Sequence, residues 1–98
     1  MASEWSVRLT AEAQSGLDEL LEQESEECYR DGLQAIGDLV ENPTPAGSVR
    51  MRKAKDYYRL YICHRRWRVI YRVFFSQRSI LVHRVGPRPT VYSGFDRW

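Results

Sequence analysis

The stretch YYRLYICHRRWRVIYRVFF, residues 57–75, decides the fold. Its side chains alternate between apolar and polar with a period of two, which predicts strands over 57–63 and 67–75. The three residues between them, 64–66, form a turn. Such a short connection implies antiparallel pairing, so this stretch predicts a β-hairpin at the centre of a sheet.

The alternation also predicts what each face of the hairpin carries. Arg59, Tyr61 and Cys63 are expected on one face of the first strand, with Leu60 and Ile62 on the other. In the second strand, Arg68 and Arg72 share a face with Ile70 and Phe74, and the opposite face carries Trp67, Val69, Tyr71 and Val73. One face is therefore expected to be core, and the other to present arginines.

The same periodicity, followed outward, predicts the remaining elements. A short strand at 5–9, with Trp5, Val7 and Leu9 inward, precedes two helices and a proline-rich break at 42–47. The apolar stripes expected on the two helices are Ala13, Leu17, Leu20 and Leu21, then Tyr29, Leu33, Ile36 and Val40. Strands at 48–53 and 79–85 complete a four-stranded antiparallel β-meander, followed by a short C-terminal helix or tail. The expected fold class is α+β, in one domain spanning residues 1–98.

Charge divides this 98-residue chain at its midpoint. Residues 1–47 hold two basic and eleven acidic side chains, a net charge of −9, whereas residues 48–98 hold thirteen basic and two acidic, a net charge of +11. A basic half of this density attracts polyanions, because each cation that meets a phosphate releases counterions. The alternative is that acidic helices face a basic sheet and each half neutralises the other.

Arginine accounts for thirteen of the fifteen basic residues, and aromatic residues are interleaved with it. Guanidinium groups bind phosphate through two hydrogen bonds and stack on bases, and aromatic rings also stack on bases. This combination predicts a surface for single-stranded RNA, on which Tyr61 and Tyr92 are exposed to the ligand. The residues expected to bind the RNA backbone are Arg50, Arg52, Lys53 and Arg72.

Two cysteines and two histidines do not form a metal-ligand pattern, so no metal and no cofactor is expected. Cys28 and Cys63 are interpreted as buried thiols in a reducing cytoplasm. His83 is interpreted as a packed residue on the face of Leu81 and Val85. Cleavage of a phosphodiester without a metal favours RNA, because the 2′-hydroxyl of RNA can attack the adjacent phosphorus. No apolar run approaches a membrane span, and no membrane partner is expected.

Six motifs together resemble the RelE/ParE toxin superfamily. They are WxVxLTxxA at 5–13, LVENP at 39–43, YRL at 58–60, WRVIY at 67–71, RVGPR at 84–88, and Tyr92. The resemblance implies a toxin of a type II toxin–antitoxin pair, whose partner is a cognate antitoxin. RelE-like members cut mRNA in the ribosome without a metal, whereas ParE-like members inhibit DNA gyrase by binding.

The resemblance also implies roles for individual residues. Arg59 matches a basic residue of the RelE-type site, Arg68 the arginine that contacts the scissile phosphate, and Arg88 the arginine at the leaving group. Tyr92 matches the tyrosine that stacks on the cut nucleotide. Tyr61 stands where RelE has a lysine proposed to help remove the 2′ proton, so it acts as base only if neighbouring arginines lower its pKa. It could instead stack on a base.

Three functions remain open from the sequence. The first is a ribosome-dependent mRNA endoribonuclease, with the ribosome and mRNA as partners. The second is a gyrase inhibitor without nuclease activity, which the replacement of a lysine by Tyr61 favours. The third is an inactive toxin that only regulates its own operon with its antitoxin. No helix of this chain resembles a DNA-reading helix, and the expected location is the cytoplasm.

Overall fold

A computed structural model describes residues 5–52 and 54–87. The expected C-terminal helix or tail after 87 lies outside the described residues. Strands and helices follow one another in the predicted order, with a 3-10 turn after the fourth strand. The elements are β1 Ser6–Leu9, α1 Ala11–Gln23, α2 Glu26–Asp38, β2 Val49–Arg50, β3 Tyr57–Ile62, β4 Trp67–Phe74 and β5 Ser79–Pro87. None of the helices in these ranges is long and apolar enough to cross a membrane.

The strands form one five-stranded sheet in the order β1-β5-β4-β3-β2. The last four strands are an antiparallel meander, as predicted. The sheet as a whole is mixed, because β1 pairs with β5 in parallel. Two backbone hydrogen bonds close the ends of this β1–β5 pair: the Ser6 N–H donates to Arg78 O, and the Thr10 N–H donates to Val82 O. Side-chain alternation reports which face a residue occupies and not the direction of its strand, so the sequence could not predict the parallel pair.

Both helices pack on one face of this sheet, and the core lies between the helices and the sheet. Trp67, Val69, Tyr71 and Val73 are fully buried there, which confirms the inward face predicted for β4. The Tyr71 hydroxyl donates to Pro43 O at 2.7 Å, and burial raises the pKa of Tyr71 to about 12. The core therefore uses the aromatic residues of β4 that the alternation assigns to it.

The predicted helix stripes are wrong at two positions. Leu21 and Leu33 are each 44% exposed, whereas the buried positions of the helices include Gly16, Cys28 and Gly32. A Cβ on Gly16 would lie 1.9 Å from Val85 O, so α1 approaches β5 more closely than a side chain would allow. Because small residues face the sheet, the large apolar residues beside them are turned outward.

Strand bounds differ from the prediction where backbone conformation interrupts the alternation. The strand expected over 48–53 is reduced to Val49–Arg50, and β5 continues to Pro87 instead of ending at 85. Cys63 was expected on the Arg59 face of β3, but its φ of 53° places it in the turn that follows. His64 and Arg65 in that turn also have positive φ, at 56° and 68°. The turn itself was predicted, and it spans 63–66.

A β-bulge shifts the register between β4 and β5. Tyr71 pairs with Val82 and Ile70 pairs with Arg84, so His83 is the extra residue of the bulge. His83 therefore shares a face with Leu81 but not with Val85, which corrects the predicted grouping. Thr10 holds this bulge, since its hydroxyl donates to His83 O at 2.7 Å while also accepting from the Ala13 N–H at 3.0 Å.

Replacing Thr10 by valine is expected to lower the free energy of unfolding by about 1–2 kcal/mol, because the helix cap and the bond to His83 O are both lost. Urea denaturation of the two proteins measures this difference. Thr44→Val is the matched control, since Thr44 is exposed, and its expected change is within about 0.5 kcal/mol. Equal losses in both variants would contradict the role given to Thr10.

The two cysteines form a disulfide, with their Cα atoms 4.8 Å apart. Both are buried as predicted, but the interpretation as separate thiols is wrong. Cys28 lies in the first turn of α2 and Cys63 in the turn after β3, at a sequence separation of 35. The packing of α2 against the sheet brings the two together, and no local sequence pattern reports that contact.

Candidate nucleic-acid interface

The sheet face opposite the helices carries the candidate site. Tyr61 pairs with Arg68 and Tyr57 pairs with Arg72 in the register of β3 and β4, and Arg59 lies between the two tyrosines. Residues opposite one another on antiparallel strands point to the same side, so these five side chains share one face. We call these five residues the basic face. The prediction that β3 and β4 present arginines away from the helices is confirmed by this register.

The arginines of the basic face carry buried nitrogen atoms that have no hydrogen-bond partner within residues 5–52 and 54–87. These atoms are the Nε atoms of Arg59, Arg68 and Arg72 and the Nη1 atom of Arg68. Arg68 was expected to emerge from the sheet, but it is only 5% exposed. Among the described residues, none of the three arginines forms an ion pair with a carboxylate. A buried cation without a counter-ion is unfavourable, so a bound anion would stabilise the charge of Arg68.

Tyr61 lies among these cations. The guanidinium carbon of Arg68 is 4.3 Å from the centre of its ring, and that of Arg65 is 4.2 Å away. Hydrogen bonding to Arg68 has the largest effect and lowers the pKa of the Tyr61 hydroxyl. Burial raises this pKa by less than that hydrogen bond lowers it, and the charge of Arg59 lowers it further. Tyr61 can act as a base only if neighbouring arginines lower its pKa. Arg68 and Arg59 do lower it.

A second group lies at the other end of the basic face. The Tyr57 hydroxyl is 3.3 Å from Nε2 of His83, and their ring centres are 5.2 Å apart. The guanidinium of Arg72 lies 5.6 Å from the Tyr57 ring and 4.6 Å from the Phe74 ring. Burial lowers the pKa of His83, and the Arg72 charge lowers it further, which favours the neutral imidazole.

The remaining predicted site residues lie apart from this face or outside the described residues. Arg50 pairs with Tyr58, whose side chain packs on the core side, so Arg50 points away from Arg59. Arg52 is exposed and lines a surface cleft with Arg50, Met51 and Lys55. The predictions for Lys53, Arg88 and Tyr92 fall outside the described residues.

Two residues of the site were missed from the sequence. Arg65 was assigned only to a turn, yet that turn returns the chain alongside Tyr61 and places the guanidinium against its ring. His83 reaches the basic-face side because of the bulge, and nothing in the alternation of 79–85 indicates a bulge. The one available signal for Arg65 was its place in a four-residue loop closed by the Ile62–Trp67 pair.

One group of side chains in the described part of the chain has the spacing of metal ligands. Glu24, Cys28 and Cys63 place their ligand atoms within 4.8 Å of one another. Both sulfur atoms are bonded to each other, and Glu24 accepts from Arg66 Nη2 at 2.6 Å and from Trp67 Nε1 at 3.0 Å. These contacts use the donor atoms, so in this state the group is not a metal site.

The fold is shared with solved toxin structures. YafQ in the Escherichia coli DinJ-YafQ toxin-antitoxin complex superposes with a TM-score of 0.75 at 10% identity, covering 93% of this chain and all of that one. RelE in the archaeal RelE-RelB complex from Pyrococcus horikoshii gives 0.69 at 22% identity, covering 88% and 97%. The isolated E. coli RelE toxin gives 0.70 at 18% identity, covering 95% and 96%.

These structures show that the chain has the RelE-like α+β toxin fold. At sequence identities this low, the similarity is evidence for the fold and for nothing more. The family model for the ParE toxin of type II toxin–antitoxin systems (parDE) matches residues 7–92. The chain therefore belongs to the ParE toxin family, within the RelE/ParE superfamily that its motifs resemble. No curated protein is similar enough in sequence to count as a relative.

Proposed function

We propose that this toxin cleaves mRNA on the ribosome, without a metal, by attack of the 2′-hydroxyl on the adjacent phosphorus. The observation that carries the proposal is the set of buried guanidinium nitrogens on the basic face, which lack hydrogen-bond partners among the described residues. The doubly charged phosphorane formed during the attack is the kind of anion that such donors stabilise. Because they are already in place, no reorganisation is needed when the charge develops.

The roles follow from position on the face. Arg68, which is buried against Tyr61, is proposed to bind the scissile phosphate, with Arg59 as a second cation beside it. Tyr61 takes the 2′ proton or stacks on a base. Arg72 lies four residues after Arg68 in β4, which is roughly 13 Å along the strand. It is proposed to bind another phosphate of the same RNA molecule. Arg88 and Tyr92 are proposed, from the family resemblance, to act on the leaving group and the cut nucleotide.

The pH dependence of cleavage tests Tyr61 as the base. The phenolate is the active form, and its fraction rises about tenfold per pH unit below the pKa, which the arginines lower from its ordinary value near 10. The single-turnover rate should therefore rise between about pH 7 and pH 9. Tyr61→Phe should be about a hundredfold slower and lose this rise. A rate that is flat above about pH 7 and rises only over the acidic range below it, with that acidic rise lost in His83→Gln and kept in Tyr61→Phe, would transfer the role to His83.

The function itself is tested in a reconstituted translation reaction with a defined mRNA and the purified toxin. Primer extension maps new 5′ ends, with a parallel reaction from which ribosomes are omitted and another in which a chelator selective for transition metals is added while Mg²⁺ is held constant. Cleavage within A-site codons that needs ribosomes and withstands chelation is the expected result. Intact mRNA under conditions where the toxin stops growth in cells would refute the proposal.

Inhibition of DNA gyrase is the second candidate. The family model that matches is that of ParE toxins, and Tyr61 replaces a lysine of the RelE-type site. Gyrase supercoiling assays with the same toxin preparation distinguish the two functions. Loss of supercoiling together with intact mRNA would establish the gyrase function, whereas unaffected supercoiling with cleaved mRNA would establish the nuclease.

A cognate antitoxin is the expected partner in either case. Neighbouring structures of this fold include toxin–antitoxin complexes. An acidic antitoxin segment laid over the basic face would supply counter-ions to its unpaired arginines and exclude RNA. The proposed setting for both proteins is the bacterial cytoplasm.

A further inference from the structure

We propose that Cys28 and Cys63 form a thiol–disulfide exchange site, which reacts with low-molecular-weight thiols and disulfides in the folded protein. Oxidation of this pair attaches the turn 63–66 covalently to α2. Such a site would be present whether the toxin cleaves RNA or inhibits gyrase.

Three contacts join the turn to the helical hairpin at this point. The disulfide links Cys63 to α2, the Cys63 N–H donates to Asp31 Oδ2 at 3.0 Å, and Glu24 accepts from Arg66 Nη2 at 2.6 Å. Only the first of these depends on the redox state. Since Cys63, His64 and Arg65 all have positive φ, the turn is conformationally demanding and relies on such contacts.

The pair is accessible to small reactants although both cysteines are buried. The two cysteines line an open surface cleft together with Glu27, Asp31 and His64. Cys28 is the more exposed of the two, at 5% against 1% for Cys63. The cleft therefore gives a small thiol or disulfide a path to the pair, whereas a protein-sized oxidoreductase would need the turn to open.

Positive groups lie beside each sulfur. Cys28 lies in the first turn of α2, where its N–H donates to Ser25 Oγ at 3.0 Å. Arg66 Nη2 lies 3.7 Å from the Cys63 sulfur. A helix N-terminus and a guanidinium stabilise the negative charge that sulfur carries during exchange.

The exchange is balanced as two successive displacements. The Cys28 thiolate attacks one sulfur of an oxidised low-molecular-weight disulfide, whose S–S bond breaks and releases one thiol. The Cys63 thiolate then attacks the Cys28 sulfur of this mixed disulfide and releases the second thiol. The protein loses two electrons and two protons, and the oxidant gains both. Excess reduced thiol drives the same steps backwards.

Oxidation should stabilise both the whole protein and the turn. A cross-link that closes a loop of this length constrains the unfolded chain, so the oxidised form should unfold roughly 10 °C or more above the reduced form. The Cys63 amide should exchange its hydrogen about tenfold more slowly when oxidised, because the turn opens less often. Arg65, carried by the same turn, would then stay against Tyr61 for longer.

The experiment equilibrates native toxin in buffers of oxidised and reduced glutathione at varied ratios, traps thiols by alkylation, and counts them by mass spectrometry. Circular dichroism at each ratio reports whether the protein is folded. The expected result is one two-electron transition in folded protein. In Cys63→Ser, glutathione should remain attached to Cys28, whereas Cys28→Ser should gain far less adduct.

Matched measurements use the double variant Cys28→Ser/Cys63→Ser, whose melting point and amide exchange should not respond to the glutathione ratio. Thiols that stay free at every ratio would overturn the proposal, as would a disulfide that is reduced only when the protein unfolds. Equal melting points of the oxidised and reduced wild-type protein would also overturn it.

Discussion

Replacing Arg68 by alanine is expected to reduce mRNA cleavage by at least about a hundredfold, since it removes a preorganised donor to the phosphorane. The guanidinium is already desolvated and held against Tyr61, so water in the truncated site would not replace it. The same substitution removes the largest cause of the lowered Tyr61 pKa. Single-turnover cleavage in the reconstituted translation reaction measures the effect.

Stability separates loss of chemistry from loss of fold in this variant. Arg68 is buried without an ionic partner among the described residues, so its removal should leave the unfolding free energy unchanged or raise it. Arg30→Ala is the charge-matched control: Arg30 lies on α2, paired with Glu26 at 3.5 Å, and its loss should not alter cleavage. Full activity of a folded Arg68→Ala toxin would contradict the assignment of the phosphate site.

Replacing Gly16 by alanine is expected to destabilise the protein by about 3 kcal/mol or to prevent folding. The added Cβ would lie 1.9 Å from Val85 O and 2.8 Å from Val85 C, and both are backbone atoms that cannot rotate away. Helix α1 would have to move off β5, and core contacts along that interface would be lost. Urea denaturation followed by circular dichroism measures the change.

Gly37→Ala is the control for this prediction. Gly37 also lies in a helix, but a Cβ there would meet no atom within 4 Å. Alanine should therefore stabilise α2 by roughly 0.5–1 kcal/mol through its greater helix propensity. If Gly16→Ala and Gly37→Ala shift stability by similar amounts, the close approach of α1 to β5 does not limit stability.

The charge division of the chain is explained by the fold. The alternative that the two halves neutralise each other holds at the tip of the β3–β4 hairpin, where Glu24 bonds Arg66. The helices that carry the acidic residues pack on one face of the sheet, and Arg59, Arg68 and Arg72 lie on the other. For these three arginines, the charge difference seen in the sequence is a separation across the sheet.

Local pattern was sufficient wherever one face of an element is buried along its whole length. The alternation in 67–75 correctly predicts Trp67 and Tyr71 as core and Arg68 and Arg72 on the opposite face, because side chains of a strand alternate strictly. The order of the elements and the α+β class follow from the same periodicities. Motif resemblance added the superfamily, which the family model and the fold confirm.

Contacts between distant segments were decided only by the tertiary structure. The parallel β1–β5 pair, the bulge at His83 and the Cys28–Cys63 bond join segments that are distant in the chain, and Arg68 is buried on the sheet face away from the helices. The spacing of apolar residues describes one segment of the chain at a time. It does not indicate which distant segments come into contact. The sequence by itself therefore determined which side chains face the core, and packing determined which of the others meet.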